Sequence, residues 1–127
     1  MRFGRRNKFG FLLVLIPLLS GCKHSLLDTC DDRVVREVRS GDGKFLATLY
    51  VRNCGATTDY ISIVNLRPGG TRFNGDADGD IVFVAKGERD IGIQWLNTNE
   101  VRIWCRGCES NDIYKRQPTW KDVKIAY

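Results

Sequence analysis

The chain carries one histidine in 127 residues, His24, close to its N-terminus. That leaves no imidazole placed to activate a serine or cysteine, which removes the Ser-His and Cys-His routes to nucleophilic catalysis. It also argues against a mixed Cys-His zinc site, which needs four ligands in a tetrahedral set. No segment shows the 3.6-residue apolar period of an amphipathic helix, and no internal repeat stands out. Long apolar runs are missing too. The run Phe11–Leu19 (F-L-L-V-L-I-P-L-L) falls short of the ~20 residues a membrane-spanning helix needs. Acidic residues are absent from the first 21 positions, where Arg2, Arg5, Arg6 and Lys8 stand before that run. Small Ser20 and Gly21 follow it. A basic start, a short apolar stretch and small residues at the cut describe a secretory signal peptide.

The segment Leu19-Ser20-Gly21-Cys22 resembles the lipobox of bacterial lipoproteins. The resemblance implies that the Cys22 thiol is diacylglycerylated, that residues 1–21 are removed, and that the new amino group is acylated. Two or three acyl chains anchor a protein stably, at about 0.8 kcal/mol per buried CH₂. The alternative is a plain signal peptide with an unmodified cysteine after it. Arg5-Arg6 suggests the twin-arginine route, but Asn7, Lys8 and Phe9 fit that motif poorly, which favours general secretion. Lys23 stands where an inner-membrane retention signal would have Asp, so the address implied in a two-membrane host is the outer membrane, facing the periplasm.

Removing residues 1–21 takes four of the 20 basic residues and none of the 15 acidic ones, leaving 16 against 15, a net +1. The basic balance of the whole chain therefore lies mostly in the discarded segment, and nucleic acid loses its electrostatic support as a partner. The remaining 106 residues are one domain by length. The expected organisation is a signal peptide at 1–21, a lipidated tether at 22–32 and a single β-domain at 33–127.

The domain is organised around Ser40–Tyr60. Asp42-Gly43 supplies a tight turn. After it Phe45, Ala47, Leu49 and Val51 alternate with Leu46, Thr48, Tyr50 and Arg52, the period-two pattern of a strand. Further strands are expected at Val34–Arg39, Asp59–Arg67, Ile81–Lys86, Ile91–Trp95, Val101–Cys105 and Val123–Tyr127. Asp59–Arg67, with Tyr60, Ser62, Val64 and Leu66 on one face, is apolar on both faces and should be central. Thr71–Gly79 and Arg106–Thr119 read as polar connections. The fold class expected is all-β, a small antiparallel sandwich or bent meander of about seven strands.

The turn S-G-D-G-K and the later C-G-A-T-T, at 54–58, resemble a family of small bacterial lipoproteins to which no activity is assigned. V-F-V-A, the Trp95 strand and the terminal K-D-V-K-I-A-Y also fit, so the resemblance covers most of 30–127. Two features depart from the pattern: Gly41, where that family usually has Pro, and the C-R-G-C at 105–108. The turn and Trp hairpin are similar to single propeller blades, but one blade cannot close a propeller.

Four further cysteines, Cys30, Cys54, Cys105 and Cys108, allow three connectivities. Cys30–Cys54 with Cys105–Cys108 is favoured, because Cys30 lies twelve residues before Asp42 and Cys54 eleven after Gly43, opposite one another across a hairpin. The alternative bonds both hairpin cysteines to the C-x-x-C. That motif could also be redox-active, but it follows a strand, and low thiol pKa values in such motifs favour a helix N-terminus. Asn74, Asp76, Asp78 and Asp80 alternate like the start of a calcium loop; counted from Asn74, position twelve is Ala85 where an EF-hand needs Glu. An acidic hairpin loop is the plainer reading, and no metal or other cofactor is expected. Asp31 with Asp32 sits in a polar connector. Trp95, Trp104 and Trp120 are read as packing residues that could instead line a ligand surface. Thr57 and Thr58 should be exposed beside a disulfide, a plausible contact site. Together these features suggest a membrane-anchored envelope lipoprotein that is not an enzyme and binds a protein or glycan. The alternatives are a thiol-redox factor or envelope enzyme using Cys105 and Cys108, or calcium binding at 74–80.

Overall fold

A computed structural model describes residues 30–127. The expected signal peptide at 1–21, the expected lipidation site Cys22, His24 and the expected tether residues 22–29 lie outside the described residues. The remaining tether positions belong to the domain: Cys30 is disulfide-bonded and Asp31 and Asp32 open the first strand.

The Ser40–Lys44 turn sets the first pairing. Gly43 takes φ +74°, a backbone angle that favours glycine. The Asp42 carboxylate accepts the Lys44 N–H at 3.1 Å and the Ser40 hydroxyl at 2.8 Å, and the Ser40 Oγ in turn accepts the Phe45 N–H at 3.0 Å. Chiefly through the Lys44 N–H and then the Ser40 hydroxyl, these bonds hold the Asp42 pKa below its ordinary 3.8. A lowered folded-state pKa adds stability above the unfolded value that is lost as pH falls through the folded one. The melting temperature of the native chain should therefore exceed that of Asp42→Asn at pH 6, and the gap should close as pH drops past 3.8. A gap constant from pH 6 to pH 2 would remove the carboxylate from the account.

The turn joins β1 (Asp31–Arg39) to β2 (Phe45–Asn53), and the chain continues through β3 (Ile61–Pro68) and β4 (Ile81–Lys86) as an antiparallel meander. The second sheet holds β5 (Asp90–Asn97) and β6 (Glu100–Arg106). The chain then crosses back as β7 (Ile113–Arg116), pairs with β4, and returns through β8 (Thr119–Trp120) to β9 (Val123–Ala126). The sheet orders are β1-β2-β3-β4-β7 and β5-β6-β9-β8. The fold is an all-β sandwich. Among the described residues it has nine strands rather than about seven. Of the extra two, β7 falls in the 106–119 stretch and β8 straddles its end, and both are too short for alternation to reveal. The β6–β9 pair is parallel, because the chain visits the other sheet between them.

Phe45, Ala47 and Leu49 of β2, with Val64, Leu66, Phe83 and Ala85, face Ile91, Ile93, Val101, Ile103 and Val123 across the sandwich. Trp120 enters this core, and Trp95 packs at its margin with its ring stacked 6.1 Å from Phe45. β3 is central, and its second face is also covered. There Tyr50, Ile63 and Ile81 pack with Phe73, whose ring meets Tyr50 edge-on at 4.9 Å. The 71–79 segment is thus a cover over the sheet. Its one large apolar residue, Phe73, was the only sign of this in a stretch rich in Gly and Asp.

The free side of β1 is closed against β5. The Trp95 indole donates to the Val38 carbonyl at 3.0 Å and the Arg36 guanidinium to the Ile91 carbonyl at 2.7 Å. Side chains thus occupy one carbonyl on each of two edge strands, β1 and β5, that could otherwise recruit another strand.

Candidate functional site

The cysteines frame the site. Cys30 is bonded to Cys54 and Cys105 to Cys108. The first pair sits one step beyond the Asp31–Asn53 register pair, with Cα atoms 4.0 Å apart, and so fastens the start of β1 to the end of β2. The second spans the turn after β6.

Below the first disulfide lies a clamp centred on Arg52. Its guanidinium donates to both Asp32 oxygens, at 2.7 and 2.8 Å, to the Gly75 carbonyl at 2.8 Å and to Asp76 at 3.0 Å. The Tyr50 hydroxyl donates to the same Gly75 carbonyl at 2.9 Å. A Cβ at Gly75 would come within 2.1 Å of the Asp32 carboxylate, so only glycine fits where this loop crosses β1. Asp32, expected in a solvated connector, is instead a half-buried partner of Arg52.

The clamp uses the loop that had suggested calcium. Asn74 Oδ1 accepts the Asp76 N–H, Asp76 meets Arg52, and Asp80 accepts the Trp120 indole N–H at 3.0 Å. These oxygens serve separate partners instead of converging. Among the described residues no three of His, Cys, Asp and Glu gather as a metal site.

Beside the disulfide, Gly55–Tyr60 forms an open loop. The Asn53 side chain accepts the Gly55 N–H at 3.0 Å, and the Gly55 carbonyl accepts both the N–H and the hydroxyl of Thr58. Thr57 and Thr58 are exposed. A depression of about 490 Å³ is lined by Asn53, Gly55, Ala56, Thr58, Asp59 and Tyr60. A second, of about 220 Å³, lies against Asp31, Arg33, Val51 and Glu88 and shares Asn53 and Tyr60 with the first. Arg33 and Glu88 form an ion pair across it. Tyr60, expected on a face of the third strand, precedes that strand and is 48% exposed. Its place at the junction of the depressions was not readable from alternation.

The cleft offers an aromatic ring, an amide, the Thr58 hydroxyl and charges of both signs. This suits hydrogen bonding and stacking with a polar ligand. Elsewhere the shifted groups settle deeper into their usual charge states. Burial pushes the Tyr50 phenol up, and hydrogen bonding to Asp32 pushes Arg52 up. Burial takes Tyr127 up to about 12. None of these shifts moves a group toward titration near neutral pH, where a general acid or base works.

Of the three tryptophans, Trp104 alone lies over a glycine, Gly92, with the Arg102 guanidinium 5.5 Å from its ring. No helix among the described residues is long and apolar enough to cross a membrane. Comparison with protein-family models, with curated proteins and with solved structures gives no match for the chain.

Proposed function

We propose that this chain is a lipid-anchored protein of the bacterial cell envelope, held through Cys22, whose β-sandwich is a non-enzymatic module binding an envelope protein or glycan. In a two-membrane host it faces the periplasm from the outer membrane. The observation that carries the binding reading is the pair of depressions meeting at Asn53 and Tyr60, on a loop fastened by Cys30–Cys54. A disulfide at the base of an exposed loop lowers the ordering cost of binding there. The lipobox-like Leu19–Cys22 supports the anchor, and the likeness to small bacterial lipoproteins supports the class. A thiol-redox role for Cys105 and Cys108 is the second reading. It draws on their position beside an open cavity.

Two measurements test the first reading. Cys22→Ala should move the protein from the membrane to the soluble fraction; retention of a processed domain on the membrane would defeat the anchor. A photo-crosslinking residue at Thr57 should capture one reproducible envelope component that the same probe at exposed Lys121 does not. Equal capture from both positions, or none from Thr57, would defeat the cleft.

A further inference from the structure

The two sheets part at a corner between β4, β6 and β7. There a cavity of about 210 Å³ opens among Phe83, Ile103, Trp104, Ile113, Arg116 and Tyr127, walled on one side by the Cys105–Cys108 disulfide. Its apolar wall is fixed in advance. The Tyr127 hydroxyl donates to the Gln117 carbonyl at 2.6 Å and approaches the Val82 carbonyl at 3.3 Å, while its ring stacks 6.1 Å from Phe83. Arg116 pairs in register with core-facing Phe83, which turns its side chain toward the gap between the sheets. Its guanidinium carbon lies 5.1 Å from the Tyr127 ring centroid. Among the described residues it forms no ion pair and no side-chain hydrogen bond, although five of the chain's other arginines have carboxylate partners. A cation with donors to spare thus stands at the mouth of a cavity with aromatic walls.

We infer that this corner is a binding site for a small amphipathic carboxylate, its ring or short acyl body held against Ile103, Ile113 and Tyr127 and its carboxylate on Arg116. The planar guanidinium matches a carboxylate through two parallel hydrogen bonds. The cavity holds about seven waters at ~30 Å³ each, below the ~300 Å³ at which sites for drug-sized ligands begin. The ligand is therefore little larger than one ring with its acid. An inward-pointing charge on an edge strand can also serve to discourage strand pairing, and that role alone gives no ligand preference. The inference stands apart from the Tyr60 cleft and does not depend on it.

The test titrates the full chain in lipid nanodiscs, with labelled isoleucine methyls, using phenylacetate and its neutral isostere phenylacetamide. Ile103 and Ile113 should shift and saturate with phenylacetate while Ile61, outside the cavity, stays still. The amide should bind about tenfold more weakly, a difference of about 1.4 kcal/mol. Arg116→Gln, at an exposed position that should leave the fold intact, should reduce acid binding to the level of the amide, and Arg116→Lys should restore part of it. The inference is overturned by no saturable shift at Ile103 and Ile113, by equal affinity for acid and amide, or by an unchanged acid affinity in Arg116→Gln.

Discussion

Arg52→Leu is expected to destabilise the domain by about 3 kcal/mol, near the low end of the ~3–5 kcal/mol found on breaking a buried ion pair. The low end applies because the Arg52 and Asp32 side chains keep 15% and 18% of their exposure. The substitution leaves the Asp32 carboxylate without its two strongest bonds. It also leaves Asp76 unpaired, and leaves the Gly75 carbonyl with Tyr50 as its one remaining donor. For a domain of this size the loss corresponds to a melting temperature lower by about 12 °C or more. Arg52→Lys should recover only part of the loss, since an ammonium cannot span both carboxylate oxygens. Asp32→Leu combined with Arg52→Leu should be milder than the sum of the single changes, because no buried charge is left alone. Thermal unfolding of the native chain, the two Arg52 variants, Asp32→Leu and the double change decides the matter. A loss under about 1 kcal/mol for Arg52→Leu would show that the pair behaves like a surface salt bridge.

Removing the Cys30–Cys54 disulfide, by Cys30→Ser with Cys54→Ser, is expected to cost about 3.5 kcal/mol. The estimate comes from the chain entropy of a loop whose ends are 24 residues apart. The same treatment of Cys105 and Cys108, three residues apart, gives about 2 kcal/mol. Denaturant midpoints should fall in that order. The first removal should also loosen the Gly55–Tyr60 loop, seen as faster amide exchange there than in β3. The reverse order of midpoints would mean that the C-x-x-C turn, and not the hairpin link, is the principal covalent restraint.

How much of this was legible in the residues depended on whether each signal was local. The β2 strand could be read because its alternation and the Asp42-Gly43 turn are complete within a few positions. The favoured pairing of Cys30 with Cys54 followed from counting across one hairpin. Arg52 gave no such signal. It looked like the solvent end of an alternating strand, and its partners Asp32 and Gly75 are 20 and 23 positions away. The acidic spacing at 74–80 was visible, but not the Arg52 and Trp120 donors that meet Asp76 and Asp80. Spacing reports which oxygens are available and not which donors the fold brings to them. β7 was missed for a related reason. Four residues are too few to show a period, and its place beside β4 is decided by tertiary packing. Tyr60 was misplaced by one position at a strand boundary, the least reliable feature of any pattern.

The parallel seating of β9 beside β6 has a consequence for the order of assembly. The strands β1 to β4 pair with their neighbours in sequence and can zip together as short-range hairpins. β9 is different. It lies beside β6 only after the chain has reached β4 through β7 and come back. The β4–β7 pairs are 28 to 33 positions apart and the β6–β9 pairs 24; measured at the nearest pair, these are the longest closures among the described strands, so they are expected to form late. Residues 113–126 then act as a latch that completes both layers last. Until it closes, Val101 and Ile103 lack their neighbours from β9, and the incomplete sandwich exposes its core along that side.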